Sequence, residues 1–323
     1  MNKIILQPAG DGDASQHYVD TIENPVDISR IKRFVREDVY DILAKYYRDG
    51  KIPVWGVTPG KDDVNYRKWG RIERGDTALF SRQGRIFASA VVTLTTHSKE
   101  LALDLWNQNS EGETWEYVYF LDEVKNQNIP YAEFNRVAQY EPNNIIQGFN
   151  VLYEDKSRLI IEALGLENII YLPTVSEVDF ENAVNDLENL ESLDTEGKAK
   201  RRVEQSFLRN QLFEGNIYAE CGICNKEYPV SFLVAAHIKK RSVCTLEEKK
   251  DKSIVMPMCG FGCDELYENG YISVQESKVV QIKEEPITPL VQGYIDTIEG
   301  NECKYWNENT FEYFNWHYNH HSE

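Results

Sequence analysis

Apolar positions change their period along this chain, and each change marks a different kind of element. Between residues 28 and 48 they fall at Ile31, Phe34, Val35, Val39, Ile42, Leu43 and Tyr46. Steps of three and four predict one amphipathic helix. After residue 50 the pattern shortens. IPVWGV (52–57), TALFSR (77–82) and IFASAVVTL (86–94) read as strands, with Arg82-Gln-Gly-Arg85 as the hairpin turn joining the last two. KELALDLWNQ (99–108) returns to helical spacing, and ETWEYVYFL (113–121) reads as a strand. Side chains alternate along a strand, which puts Trp115, Tyr117 and Tyr119 on one face. A short helix over 134–137, a strand over 146–152 and a helix over 155–164 follow. Short strands, turn glycines and few helices predict an α+β fold: a small, partly closed β-barrel with peripheral helices.

The second half reads differently. Residues 176–196 form an acidic helix or linker, in which Leu187, Leu190 and Leu193 are spaced to face a partner. Further on, Arg202 to Phe213, Ile254 to Cys259, and Asp264 to Glu268 with Asn269-Gly270 after it are segments whose assignment as helix, buried strand and helix comes from the family resemblance given below.

Composition narrows the class. With 323 residues, 41% apolar and 27% charged, the chain suits about two soluble domains. No apolar run of about 18 residues exists, which argues against a membrane span. MNKIILQPAGDGDASQ lacks the apolar core of a signal peptide, so a cytoplasmic location is expected. The net charge of −18 opposes nucleic-acid binding overall. Its distribution does not. Residues 176–196 hold eight acidic side chains and no basic one, whereas 198–241 hold nine basic against four acidic, a local balance of 9 − 4 = +5.

Four of the six cysteines form two close pairs, Cys221-x2-Cys224 and Cys259-x3-Cys263. Zinc takes four tetrahedral ligands, and a tight turn presents two thiolates at once. Gly260 and Gly262 allow the second turn. Two unrelated pairs of buried thiols are the plainer alternative.

Between the pairs lies Ala235-Ala236-His237-Ile238-Lys239, and after them Asp264-Glu-Leu-Tyr-Glu-Asn-Gly-Tyr. The segment from 201 to about 274 resembles the HNH (ββα-metal) endonucleases, in which a β-hairpin carries a histidine and a helix follows. The resemblance implies that His237 is the catalytic base. It also implies a catalytic Mg²⁺ or other divalent cation beside the structural zinc, with Asp264 and Ser253 at the ligand positions. Ala236 stands where many members have a metal ligand, and Ser253 where they have asparagine. Arg202, Gln205, Arg209, Lys239, Lys240 and Arg241 are the candidate DNA contacts. Residues 50–152 resemble the PUA-like superfamily, which includes the EVE and YTH domains. That impression rests on Trp55-Gly56, the Gly75-Asp76 turn, the 77–94 strand pair, Leu101 to Trp106 and Thr114 to Leu121. Such domains hold a flipped base against aromatic faces, implying a pocket drawn from Trp55, Trp69, Trp115, Tyr117 and Tyr119.

The combination resembles modification-dependent restriction endonucleases, which implies cleavage of double-stranded DNA carrying modified cytosines, in phage defence; since one such site cuts one strand, a homodimer is expected on DNA. The domain order expected is a base reader over 1–172, an acidic helical linker over 173–200, the nuclease over 201–285 and an extension over 286–323. The alternatives are a sequence-specific type II restriction endonuclease acting on unmodified DNA, and a catalytically degenerate DNA-binding protein.

Overall fold

The computed structural model describes residues 2–10, 12–168, 170–172, 175–189, 195–283 and 287–322. The chain divides into two compact units, Met1–Pro173 and Thr174–Glu323. Both mix helices and strands.

In the first unit β1 (Ile4–Pro8) is followed by α1 (Gly12–Tyr18), β2 (Val26–Asp27), α2 (Ile28–Ile31), α3 (Glu37–Tyr46), β3 (Lys51–Ile52), β4 (Val54–Val57) and α4 (Val64–Trp69). Next come β5 (Thr77–Arg82), β6 (Arg85–His97), α5 (Lys99–Trp106), β7 (Tyr117–Pro130), α6 (Tyr131–Val137), β8 (Asn150–Val151) and α7 (Glu154–Leu164). Six strands share one sheet in the order β4-β7-β6-β5-β1-β8. The β1–β5 pair is parallel and the others antiparallel. The register shifts once along β5–β6 and three times along β6–β7. Each such bulge bends its strand, and together they curl the sheet. The predicted hairpin turn is present, with Gln83 and Gly84 both at positive φ, as a two-residue turn matched to strand twist requires.

Alternation along the strands builds a core on each face. Trp55, Phe80, Tyr117, Tyr119 and Leu121 point to one. Val54, Val118 and Phe120 point to the other, where Ile31, Leu43, Leu101 and Trp106 of α2, α3 and α5 cover them.

Three expectations need correcting here. The helix over 28–48 is broken, because Val35 is extended (φ −124°, ψ 159°). Its break is held by a tertiary contact, the Ser98 hydroxyl donating to the Phe34 carbonyl at 3.0 Å, and Glu37 and Asp38 then favour a fresh helix start. β7 begins only at Tyr117, so Trp115 does not share a strand face with Tyr117 and Tyr119. It packs in the opposite core and meets the His17 ring edge-on at 4.1 Å. The strand expected over 146–152 is confined to Asn150–Val151.

The second unit runs α8 (Glu177–Asn189), α9 (Thr195–Phe213), β9 (Tyr218–Glu220), β10 (Glu227–Pro229), β11 (Leu233–His237), α10 (Leu246–Lys250) and β12 (Val255–Cys259). It continues with α11 (Cys263–Glu268), β13 (Ile272–Gln275), β14 (Lys278–Gln281), α12 (Pro289–Ile298) and α13 (Phe311–Ser322). The acidic stretch enters this unit as α8. Phe180 and Val184 are buried, and Phe180 stacks on Phe207 of α9 at 4.2 Å. Leu187 is half-buried, while Leu190 and Leu193 lie outside the described residues. β9 pairs with β10, β11 with β12, and β13 with β14, all antiparallel. Among the described residues no helix is long and apolar enough to cross a membrane.

Candidate functional site

The four paired cysteines converge. Hairpin β9–β10 presents Cys221 and Cys224 at its turn, and the end of β12 with the start of α11 presents Cys259 and Cys263. The four sulfurs lie within 4.8 Å of one another, and all four residues are buried. Asn225 adopts positive φ to close the first turn, and Gly262, at φ 140°, opens the second. The Cys259 amide donates to the Cys221 sulfur at 3.3 Å. The Tyr294 hydroxyl sits 3.1 Å from the Cys263 sulfur, and that of Tyr228 lies 3.7 Å from Cys224. Donors aimed at sulfurs suit thiolates. Hydrogen bonding with Cys221 lowers Cys224 to about 6 and lowers Cys259 as well; the bond with Cys224 raises Cys221, and that with Cys221 raises Cys263. Alone, the cluster shares its protons unequally. A tetrahedral Zn²⁺ takes four thiolates and relieves their mutual repulsion, so this donor set fits a structural zinc ion.

β11 and β12 pair as antiparallel strands, with α10 between them in the chain, and α11 follows β12. His237 ends β11 opposite Val255. Its Nε2 is buried and has no hydrogen-bond partner among the described residues. Burial lowers its pKa below the ordinary 6.5; Glu204 and Glu268 oppose that shift and Arg241 adds to it. Asp264 occupies the first turn of α11, and its pKa is raised by burial and by Glu268 and Glu265. Ser253 follows Asp251, whose carboxylate accepts its amide hydrogen at 2.8 Å. Among the described residues the four cysteines are the group of three or more His, Cys, Asp or Glu side chains whose donor atoms converge, and neither His237 nor Asp264 joins such a group.

No family model and no curated protein matches this chain. Among solved structures it is similar to the N-terminal domain of Thermococcus gammatolerans McrB bound to m5C DNA, at 16% identity and a TM-score of 0.39, over 51% of this chain and 98% of that one. A likeness this slight carries no functional weight.

The candidate DNA contacts separate into two groups. Arg202 and Gln205 are exposed on α9, and Lys240 is exposed within 3.5 Å of Glu268. The other three have their charged groups bound to carbonyls or carboxylates of this unit, which opposes their reading as DNA contacts. Arg209 donates to the carbonyls of Leu233 and Val230 at 2.7 and 2.9 Å and so fixes the start of β11. Lys239 pairs with Glu248 at 2.6 Å. Arg241 forms a two-pronged bond to the buried Glu204, at 2.7 and 2.9 Å.

The aromatic candidates also separate. Trp55 and Tyr119 are 2% and 0% exposed. Trp55 packs edge-on to Phe80 at 5.1 Å, and the Tyr119 hydroxyl donates to Gln7. Both belong to the core, which corrects their assignment to a pocket wall. Trp69 and Tyr117 are brought together, 5.3 Å apart. Two rings that the pattern did not single out join them: Tyr66 at 5.3 Å and His97 at 4.9 Å, both from Tyr117. Tyr66 is 51% exposed, and His97 is held by Glu116 at 3.0 Å. Tyr66 lies three residues before Trp69 on α4, a helical spacing that could have flagged it.

Proposed function

We propose that this protein is a zinc-stabilised, metal-dependent DNA endonuclease of the restriction type, whose first unit directs it to DNA carrying modified cytosines. One arrangement carries the reading: a two-strand, one-helix unit clamped by four cysteines, with His237 at the end of its first strand and its Nε2 unpaired. A general base must be neutral at the working pH, and burial favours neutral His237. In this reading Nε2 takes the proton from the attacking water. A divalent cation, when bound, would offset the charge that develops on the phosphate. Asp264 is the residue that would supply an oxygen ligand to such an ion in this reading.

The aromatic surface around Tyr117 supports the directing role. Exposed rings offer a flipped base a stacking partner that offsets its unstacking. Cleavage of both strands calls for two such sites, so the reading includes a homodimer on DNA. The test is Mg²⁺-dependent cleavage of matched DNAs with and without modified cytosines. Wild type should cut the modified DNA, and His237→Ala should not while keeping its zinc. Equal cutting of both DNAs would instead favour sequence-specific restriction.

A second reading rests on a specific observation. Ala236 and the missing convergence of oxygen donors near His237 favour a DNA-binding protein without catalysis. Binding without any metal-dependent cleavage would select it.

A further inference from the structure

The first unit carries an open groove of about 670 Å³ between α4, β8 and the start of α7. Its charged lining is Arg67, Lys68, Arg71 and Lys156 against a single carboxylate, Asp155. This unit has 20 basic and 26 acidic residues, a balance of 20 − 26 = −6. Four cations gathered at one place in an acidic body therefore form a local feature. Their placement is built. Lys68 donates to the Phe149 carbonyl at 2.8 Å and Arg71 donates to that of Val151, so both are fixed along β8. The Arg71 guanidinium lies 4.8 Å from the Tyr153 ring, and Lys156 lies 4.1 Å from the Tyr140 ring. Arg67 is exposed and makes no ion pair among the described residues. Tyr153 is 78% exposed, the extreme for a tyrosine among the exposed apolar residues of this chain, and it stands at the head of α7 with no side-chain cap on that helix. Asp155 lines the groove but is 99% exposed and lies 3.8 Å from Arg158, so it offsets only part of the cationic lining.

We infer that this groove holds the sugar-phosphate backbone of DNA, with the cations on successive phosphates and Tyr153 available to a base or sugar. An extended polyanion matches an open groove lined by several separated cations better than a small anion does, because no enclosed cradle of amides surrounds one point. The groove shares α4 with the aromatic surface, since Tyr66 and Trp69 lie on the same helix as Arg67 and Lys68. One short helix would then separate base contacts from backbone contacts. This inference rests on DNA being the substrate, and extends that reading to residues it did not use.

The test compares the full chain with an Arg67→Gln/Lys156→Gln double variant and with Tyr153→Ala, all at positions where no described backbone group depends on the side chain. Binding to a short fluorescein-labelled duplex is measured by anisotropy across a salt series, with circular dichroism as the folding control. The double variant should lose roughly tenfold or more in affinity, and the slope of log K against log salt should fall by about 2. Tyr153→Ala should weaken binding at unchanged slope. An unchanged slope in a folded double variant overturns the inference, even if wild type cuts DNA. Displacement of the duplex by millimolar inorganic phosphate, at constant ionic strength, overturns it in favour of a small-anion site. If the double variant shows the expected slope change but wild type never cuts, the groove stands and the nuclease reading falls.

Discussion

The His317 imidazole stacks on the Tyr267 ring with 3.7 Å between centroids and 12° between planes. The histidine also donates from Nε2 to the Tyr267 carbonyl at 2.9 Å and accepts at Nδ1 from the Ser273 hydroxyl, again at 2.9 Å. Tyr267 in turn donates to the carbonyl of Ile238, the residue after His237. A chain of contacts thus runs from α13 through α11 to the end of β11. The C-terminal helix helps position the proposed base although it touches no substrate in this reading.

That contact carries a pH prediction. Burial, the main cause, lowers His317 to about 3, with His321 adding to the shift. The native state then binds fewer protons than the unfolded chain between about 3 and the ordinary 6.5. The contribution to stability is therefore present above 6.5 and is lost as pH falls through that window. Lowering the pH from 7 to 5 should reduce the stability of the second unit by up to about 2 kcal/mol at this site. His317→Gln should be less stable at pH 7 and should show a flatter dependence of melting temperature on pH. A variant with the wild-type slope would remove His317 from this role.

The zinc centre should contain one ion per chain, held by Cys221, Cys224, Cys259 and Cys263. Elemental analysis of the purified protein checks the count. Cys259→Ser should lose the metal and unfold much of the second unit, because this site joins β9–β10 to β12 and α11. Tyr294→Phe keeps all four ligands and removes one hydroxyl from Cys263. It should weaken zinc by about 10- to 100-fold in chelator competition. Unchanged affinity would show that the hydroxyl does not tune the sulfur.

If His237 is the general base, its lowered pKa sets the acid limb of the rate. The plot of kcat/KM against pH should fall on the acid side at a midpoint below 6.5. His237→Ala should cost about 10²- to 10⁴-fold in rate at neutral pH, with zinc content and DNA affinity nearly unchanged. A midpoint above 6.5 would point to a different base.

Base reading should be tested at Tyr66, which is exposed, and not at the core residue Trp55. Truncating Trp55 removes a buried ring and should cost about 3–5 kcal/mol of stability, so its loss of function would be uninformative. Tyr66→Ala should leave the fold intact and remove stacking of about 1–3 kcal/mol toward modified DNA. Competition binding against the unmodified duplex measures the difference. If both DNAs bind as before, Tyr66 is not part of the reader.

The sequence by itself determined the features that depend on local spacing. Two short cysteine pairs specify a four-sulfur site because each pair needs only its own turn to present two donors. Alternation and the Arg82-Gln-Gly-Arg85 turn specify the β5–β6 hairpin for the same reason, and the helical periods of α5 and α7 were legible. Tertiary structure decided what depends on partners distant in sequence. β1 is a short apolar run that reads as nothing alone, yet it pairs with both β5 and β8 within the sheet. Ser98, 64 residues away, donates to the Phe34 carbonyl at the break in the 28–48 helix. Arg209, Lys239 and Arg241 are indistinguishable from free cations in a charge count, and only the fold supplies the carbonyls and carboxylates that engage them. The aromatic residues divide the same way: packing of the first unit buries Trp55 and Tyr119 in its core and places Tyr66 and His97 around Tyr117. Local geometry is written into neighbouring residues, whereas burial and pairing are properties of the assembled surface.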